Sequence, residues 1–416
     1  MYIPMRPIVI SLLLLLVVSV HAQQPSDSAS VVLSGRVVSS ANGDELAYVS
    51  VSSPEYNVST VTNEDGEFVL KTPARPTHLM FSHLGFHTRR FVINEGQTDR
   101  IKVRMQPSSI VLSEVLVSAN DPMLVVRAAI KKIPENYATQ PSLMHCFYRE
   151  TAQRGSRFIA VSEAVTNLYK TPYDRGDIYG DAVQIIRGRR LMSTKAKDTL
   201  AVKLMGGPLT SIMLDAVKNS QLLLNEQELS LYNLQMEMPE RIGERAQYVV
   251  SLSPRYRIMR PLFFARLYID QETLAFTRIE LELDVSNRDL ATEYMLVRRP
   301  PGLRFNPKQL TTTINYTTVD SITSISYVRN EMRFKCDWKR RLFASTYTVI
   351  SEMVVTEMVS QAEVHRIRGR DSFGQRDTFY DRVESFDEPD FWGAYNIIAP
   401  TESLEHAIHK LKKQNR

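Results

Sequence analysis

The sequence predicts a mainly β protein, with an N-terminal antiparallel β-sandwich followed by a larger curved antiparallel sheet domain with a few helices. The first observation is a series of short strand-like runs over residues 31–119, separated by turn residues and without a helical period. The second is a long alternation of apolar and charged residues farther along, which is typical of strands with one buried face. With 416 residues, the chain is long enough for roughly two or three domains.

The first 22 residues have the pattern of a secretory signal peptide. Arg6 precedes an apolar run over residues 8–20, and Ala22 ends a short stretch suited to cleavage. A retained membrane anchor is the alternative, but the run has 13 residues, whereas a spanning helix needs about 20. We therefore expect an exported chain, a polar linker at 23–30 and no transmembrane helix in the mature protein. The net charge of +5 is too small to indicate nucleic acid binding.

A turn is predicted at residues 62–70, which read Thr-Asn-Glu-Asp-Gly-Glu-Phe-Val-Leu. Asn63, Asp65 and Gly66 are residue types that supply turn conformations, and Phe68 belongs to the alternating strand that follows. This pattern predicts a hairpin inside the sandwich domain and not an active site.

Four segments occur in a characteristic order: Gly-Arg-Val at 35–37, the turn at 62–68, Gly-Phe at 85–86, and Leu-Ser-Glu-Val-Leu-Val at 112–117. Together they resemble the carboxypeptidase regulatory-like, transthyretin-like modules that are common in exported Bacteroidetes proteins. The resemblance implies an adaptor sandwich in the cell envelope. It concerns the accessory domain and not the peptidase, and no His-x-x-Glu zinc pair occurs in the sequence.

A connecting helix is predicted over residues 120–136. Asp121 is a favourable N-cap, Pro122 suits the first helical turn, and Pro134 marks the end of the helix. The larger β-rich, half-barrel-like domain is expected to follow at 137–378.

The larger domain shows its strand period most clearly at 278–285, and a helix is predicted after Gly-Gly-Pro at 206–208. The segments at 148–150 (Tyr-Arg-Glu) and 267–270 (Leu-Tyr-Ile-Asp) resemble the uncharacterised domain that accompanies this sandwich in envelope proteins. The outline also resembles the half-barrel of periplasmic lipoprotein carriers, which implies an apolar groove. Such a groove could hold an acyl chain or a helix of the same chain.

Residues 379–416 are predicted to form an aromatic and acidic strap followed by a C-terminal helix. The strap could bind a sugar or a partner chain by stacking, or lie irregularly across a sheet edge. His406 and His409 share a side of the helix, for which we expect a solvated polar face rather than a metal site.

Two other patterns leave alternatives open. Cys146 and Cys336 could form one disulfide in an exported protein, or remain two buried thiols. Arg366, Arg368 and Arg370 could face anionic lipid headgroups, or protect a sheet edge from strand addition.

No catalytic, cofactor-binding or metal-binding residue is predicted. A hydrolase would need to bring His78, His83, His87 or His365 together with carboxylates, and no hydrolase or phosphate-binding motif accompanies them. We therefore expect a non-enzymatic protein of the periplasm or outer-membrane periphery that contacts an envelope protein or the membrane surface. The alternatives are a periplasmic carrier of lipid or another apolar ligand, and an envelope hydrolase.

Overall fold

The computed structural model describes residues 30–108, 121–195, 203–204, 206–298, 300–338, 344–374, 377, 379–385 and 391–415. The predicted signal peptide, the linker up to residue 29 and the predicted segment at 112–117 lie outside these ranges. Within them the protein is mainly β, with a small N-terminal sandwich and a large curved antiparallel sheet. The fold class predicted from the sequence is therefore confirmed.

The N-terminal sandwich has two layers of strands that enclose an apolar core. Its strands are β1 (Val31–Ser39), β2 (Ser50–Ser53), β3 (Val58–Val61), β4 (Glu67–Thr72), β5 (His78–Ser82), β6 (Arg89–Val92) and β7 (Ile101–Met105). One layer has the order β4-β1-β7 and the other has the order β3-β2-β5-β6. The pairing of β1 with β7 is parallel, while the other pairings within the sandwich are antiparallel. Leu33, Phe68 and Phe81 fill the space between the layers.

The predicted turn before β4 is present. The side-chain Oδ1 of Asn63 accepts hydrogen bonds from the backbone N–H groups of Asp65, at 3.0 Å, and Glu67, at 2.8 Å. Gly66 has a φ of +72°, and a Cβ there would lie 2.7 Å from the carbonyl oxygen of Val37. Glycine is therefore required by both the backbone conformation and the close approach of β1.

The larger domain is a curved antiparallel sheet with the order β12-β14-β15-β16-β18-β19-β20-β8-β9-β10. Its main strands are β8 (Ser142–Arg154), β9 (Arg157–Lys170), β10 (Ala182–Met192), β12 (Tyr232–Met236), β14 (Arg245–Pro254), β15 (Phe263–Asp270), β16 (Phe276–Leu283), β18 (Leu303–Val319), β19 (Ile322–Trp338) and β20 (Ser345–Met358). Short strands are β11 (Lys203–Leu204), β13 (Glu240–Ile242), β17 (Leu296–Arg298) and β21 (Glu384–Ser385). Strand β13 pairs with β14, β21 pairs with β10, and β11 pairs with β17.

The described residues include six α-helices. They are α1 (Pro122–Lys131), α2 (Ile133–Asn136), α3 (Pro208–Met213), α4 (Glu226–Leu229), α5 (Arg288–Met295) and α6 (Glu402–Asn415). The carboxylate of Asp121 accepts from the backbone N–H of Met123 at 2.9 Å, which caps α1 as predicted. Pro134 falls in α2, just after α1 has ended.

The two faces of the large sheet are covered differently. The inner face carries alternate strand residues such as Tyr148, Leu267 and Ile279, and these pack against residues of α1, α3 and α5. The outer face carries the residues between them, such as Phe147 and Tyr327, and these pack against the C-terminal segment. Where this segment covers the outer face, the strands carry apolar residues on both sides, whereas Phe264 of β15 and Glu282 of β16 are exposed.

The part of the predicted strap at residues 391–400, which we call the C-terminal strap from here on, lies between the outer face and the sandwich. The side chain of Asn396 donates to the carbonyl of Lys71 at 2.9 Å, and the hydroxyl of Thr60 donates to the carbonyl of Ile397 at 3.0 Å. After the strap, Leu404 and Leu411 of α6 pack beside β9 and β10. Residues 391–400 therefore lie across a sheet face, whereas Glu384 and Ser385, earlier in the predicted strap, pair with β10 at the edge of the sheet.

Both cysteines, Cys146 and Cys336, are buried free thiols, so the disulfide alternative is wrong. Among the described residues, no helix combines the length and the apolar character that crossing a bilayer requires.

Candidate ligand-binding cavity

A cavity of about 680 Å³ lies on the inner face of the large sheet, beneath α3 and α5. Pockets that hold small molecules usually measure about 300–1,000 Å³. Strands β8, β9, β18, β19 and β20 form its floor, and the segment around Phe379 contributes one wall. Most of the lining is apolar, including Ile159, Leu310, Met332 and Val349. The cavity is therefore large enough for a small ligand with a long apolar part.

The wall beside α3 depends on the two glycines that precede the helix. Gly207 has a φ of +90°, which favours glycine, and a Cβ there would lie 3.0 Å from the ring of Phe373. The hydroxyl of Thr210 donates to the carbonyl of Gly206 at 2.8 Å, which closes the first turn. The Gly-Gly-Pro sequence thus brings backbone close to the cavity before the helix starts.

A line of polar side chains crosses this apolar floor. It comprises Ser162, Glu150, Ser351, Asn330 and Thr312, which lie on the adjacent strands β9, β8, β20, β19 and β18. Each residue is the register partner of the next, so the line runs perpendicular to the strands. We call these five residues the polar row.

Hydrogen bonds join Thr312, Asn330 and Ser351 of the polar row. The hydroxyl of Thr312 donates to Oδ1 of Asn330 at 2.8 Å, and Nδ2 of Asn330 donates to the hydroxyl of Ser351 at 3.2 Å. The side chain of Ser351 also hydrogen-bonds to the hydroxyl of Tyr148, a neighbour on the inner face. These bonds satisfy polar groups in a mostly apolar environment.

Glu150 is the carboxylate within the polar row. Its Oε2 accepts from the hydroxyl of Tyr148 at 3.0 Å, and it accepts a second hydrogen bond from the backbone of Gly207. Burial raises the pKa of Glu150, and the two hydrogen bonds oppose this rise without cancelling it. The carboxyl group is therefore held at the cavity wall in an environment that disfavours its charge.

The charges around the cavity are of one sign. Its lining includes the carboxylates of Glu150, Glu293 and Asp377, and no Lys, Arg or His is found among the described residues that line it. Asp377 accepts from Nε of Arg382 at 3.0 Å, whereas Glu293 is exposed. The cavity therefore suits a neutral or cationic ligand better than an anionic one.

A cluster of charged residues is buried in the larger domain. Nζ of Lys170 lies 2.8 Å from Oδ2 of Asp215 and 3.2 Å from Oδ2 of Asp181, and Lys218 also pairs with Asp181. The hydroxyl of Tyr316 donates to Asp215 at 2.7 Å. Burial alone would raise the pKa of Asp215, but Lys170 holds it below its ordinary value. Because these groups satisfy one another, we assign the cluster a structural role.

The histidines considered for a hydrolase lie in separate environments. His87 Nδ1 lies 3.0 Å from Oε1 of Glu244, and His365 Nδ1 lies 2.9 Å from a backbone carbonyl. Burial lowers the pKa of His83 to about 4, with a contribution from Arg278, so this ring is neutral at pH 7. His78 contacts its neighbour on the chain. The four histidines do not come together, and the one contact with a carboxylate, between His87 and Glu244, lies at a solvent-exposed position.

Arg366, Arg368 and Arg370 are exposed and lie outside the strands, so they do not belong to an edge strand. His406 and His409 of α6 form no metal cluster with other His, Cys, Asp or Glu side chains of the described residues.

The N-terminal part of the chain matches a known family. Residues 33–117 match the family model of the CarboxypepD_reg-like domain. The sandwich is thus a carboxypeptidase regulatory-like domain, and the resemblance noted from the sequence is confirmed. No curated protein matches the chain.

Solved structures align with about three fifths of the chain. A DUF1329 family protein from Desulfovibrio piger is 13% identical, covers 59% of this chain and 95% of its own, and has a TM-score of 0.25. A putative outer membrane lipoprotein-sorting protein domain from Vibrio parahaemolyticus is 10% identical, with coverages of 59% and 95% and a TM-score of 0.27. A LolA superfamily protein from Nitrosomonas europaea is 10% identical, with coverages of 58% and 97% and a TM-score of 0.18.

Proposed function

We propose that this protein is a non-enzymatic binding protein of the cell envelope, and that its larger domain holds a lipid-like molecule in the inner-face cavity. The observation that carries the proposal is the cavity itself, about 680 Å³ with a mostly apolar lining. Clefts of this size with a mostly apolar lining and a few polar groups are typical of sites that bind small molecules.

The helices support this proposal because they cover the inner face only in part. Ile212 of α3 and Met295 of α5 are buried in the core of the larger domain, so these helices satisfy some of the sheet. The side chains of Leu310, Met332 and Val349 nevertheless face the cavity. The groove predicted from the sequence is thus partly filled by the chain's own helices, with space left beside them.

We further propose that the sandwich connects the binding domain to an envelope protein or to the membrane surface. This role is supported by its position on the outer face, away from the cavity. The pairing of Val58 in β3 with Glu357 in β20 and the strap both hold it there. Fractionation of cells that produce the protein would test its location, and recovery in the cytoplasm would contradict the proposal.

Filling the cavity tests ligand binding. Val349 lines the cavity, and the next residue on β20, Ile350, points to the other face. We expect Val349→Trp to weaken binding of the neutral fluorophore N-phenyl-1-naphthylamine by about tenfold or more, which corresponds to about 1.4 kcal/mol. Ile350→Trp is the matched control and should bind with nearly wild-type affinity.

Circular dichroism and thermal unfolding of both variants show whether each is folded. The proposal is wrong if the wild-type protein does not bind the fluorophore, or if the two variants bind equally. As an independent measurement, mass spectrometry of organic extracts from protein purified out of the envelope should find a lipid in stoichiometric amount.

A further inference from the structure

We infer that the cavity selects an amphiphile with one long alkyl chain and a protonated amine head, and that Glu150 is the counter-ion of the amine. This inference rests on the proposed function, because it names the class of ligand for the same cavity. Three features carry it: the position of Glu150, the free hydrogen-bonding capacity of its carboxylate, and the charge of the lining.

The position of Glu150 puts a carboxylate between apolar surfaces. It lies within the polar row, while Ala152, two residues along β8, and Ile159 belong to the apolar lining. An alkyl chain could lie against the apolar lining while its head reaches the polar row. An amphiphile therefore matches the cavity better than a purely apolar molecule, which would leave the remaining acceptor capacity of Glu150 without a donor.

The carboxylate of Glu150 has capacity for further donors. It accepts hydrogen bonds from Tyr148 and from the backbone of Gly207. An ionised carboxylate can accept about four hydrogen bonds, so about two remain for a ligand. An ammonium group has three N–H donors and would form charge-assisted hydrogen bonds there.

The charge of the lining decides between head groups. An anionic head would meet Glu150 and Glu293, and the described lining residues include no cation to pair with it. The nearby Arg382 is already paired with Asp377. A fatty acid or a phosphate head is therefore disfavoured, whereas an ammonium head compensates a buried carboxylate.

The pH dependence of binding follows from the same contact. Burial raises the pKa of Glu150, so part of its population is neutral at a pH where an exposed glutamate is ionised. An alkyl amine, like a lysine side chain with a pKa of about 10.4, stays protonated there. Affinity for the amine should therefore rise with pH through the pKa of Glu150, while affinity for an uncharged alcohol should not.

The experiment compares three competitors of equal chain length: dodecylamine, dodecanol and dodecanoate. Each competitor is titrated against N-phenyl-1-naphthylamine bound to the wild-type protein, to Glu150→Gln and to Glu282→Gln. Glu282→Gln is the control, because Glu282 is at an exposed position of β16. In the wild type and the control, dodecylamine should bind about tenfold or more tightly than dodecanoate. In Glu150→Gln this preference should disappear, while dodecanol binds as before.

The outcomes separate the two proposals. If the fluorophore does not bind the wild type, or no competitor displaces it, the proposed function is wrong. Three results would leave the proposed function standing and overturn this inference. The wild type could bind all three competitors equally, or it could prefer dodecanol or dodecanoate. Alternatively, Glu150→Gln could keep the preference for dodecylamine. If Glu150→Gln does not fold, a pH series on the wild type tests the same inference. A ratio of dodecylamine affinity to dodecanol affinity that does not rise with pH also overturns the inference.

Discussion

At the residue scale, the buried carboxylate of Glu163 in β9 pairs with one arginine from each neighbouring strand, β8 and β10. Nε of Arg149 lies 2.7 Å from its Oε1, and Nε of Arg189 lies 2.8 Å from its Oε2. Arg149 also donates to the carbonyl of Ile398 in the strap at 2.8 Å. Burial alone would raise the pKa of Glu163, but the two guanidinium groups outweigh it and hold the pKa below its ordinary value.

Removing one partner of this buried pair should be costly. We expect Arg149→Met to lower the free energy of unfolding at neutral pH by about 3–5 kcal/mol, because it removes a partner of a buried charge. Urea denaturation measures the change. The control is Arg333→Met, since Arg333 is 55% exposed beside Glu331, and it should cost no more than about 0.5 kcal/mol. Equal losses for the two variants would contradict the structural role of Arg149.

The same carboxylate predicts a pH effect of definite sign. The folded-state pKa of Glu163 is below the unfolded value of about 4.3, so its stabilisation is present above that value. It is lost as the pH falls through the folded-state pKa. The stability of the wild type should therefore fall more steeply in acid than that of Arg149→Met, and equal slopes would count against this account.

Glu150 shows the limit of sequence reasoning at this scale. The segment at 148–150 carries a family resemblance, and strand alternation places Tyr148 and Glu150 on one face of the sheet. Its partners in the polar row come from β9, β18, β19 and β20, and their register depends on the whole sheet. No local signal in the sequence identifies Ser351 or Asn330 as its neighbours.

At the element scale, the turn before β4 also supports the C-terminal helix. Oδ2 of Asp65 accepts from the backbone N–H of Glu402 at 3.0 Å, and Nδ2 of Asn63 donates to the carbonyl of Pro400 at 3.0 Å. The first N–H groups of a helix have no partner within the helix. A residue of the sandwich therefore supplies a hydrogen-bond acceptor to the start of α6.

Loss of this acceptor should loosen the start of α6. We expect Asp65→Ala to destabilise the first turn by about 1 kcal/mol, the usual cost of a lost cap. Hydrogen exchange of the amides at 402–405 should become faster, while exchange in β8 stays the same. Asp44→Ala is the control, because Asp44 contacts Asn42 in another turn of the sandwich. Unchanged exchange at 402–405 in Asp65→Ala would contradict the contact.

At the scale of the whole molecule, the strap holds the sandwich and the large sheet together. Trp392 is 5% exposed, and its ring centroid lies 5.5 Å from that of Phe147 on the outer face. The guanidinium carbon of Arg189 lies 4.7 Å from the centre of the same ring. The hydrogen bonds of Asn396 and Thr60 continue the contact into the sandwich.

Truncating the central aromatic residue should weaken the whole assembly. We expect Trp392→Ala to lower the free energy of unfolding by about 3–5 kcal/mol, through lost contacts and the space left behind. Thermal and urea unfolding measure this loss, and Tyr256→Ala, at a 50% exposed position, is the control. Fluorophore binding should persist in folded Trp392→Ala, because the strap and the cavity lie on opposite faces. A stability equal to that of the control would show that the strap contributes little.

Local patterns in the sequence determined the fold class, the regulatory-like sandwich with its turn at 62–70, and the starts of α1 and α3. These features depend on residues close together in the chain: a strand period, a cap such as Asp121, or a glycine that accepts positive φ. The tertiary structure alone decided that a cavity remains beneath α3 and α5, that Glu150 lies in its wall, and that the strap covers a face. Those outcomes depend on the register and packing of strands far apart in sequence, which local periodicity does not specify.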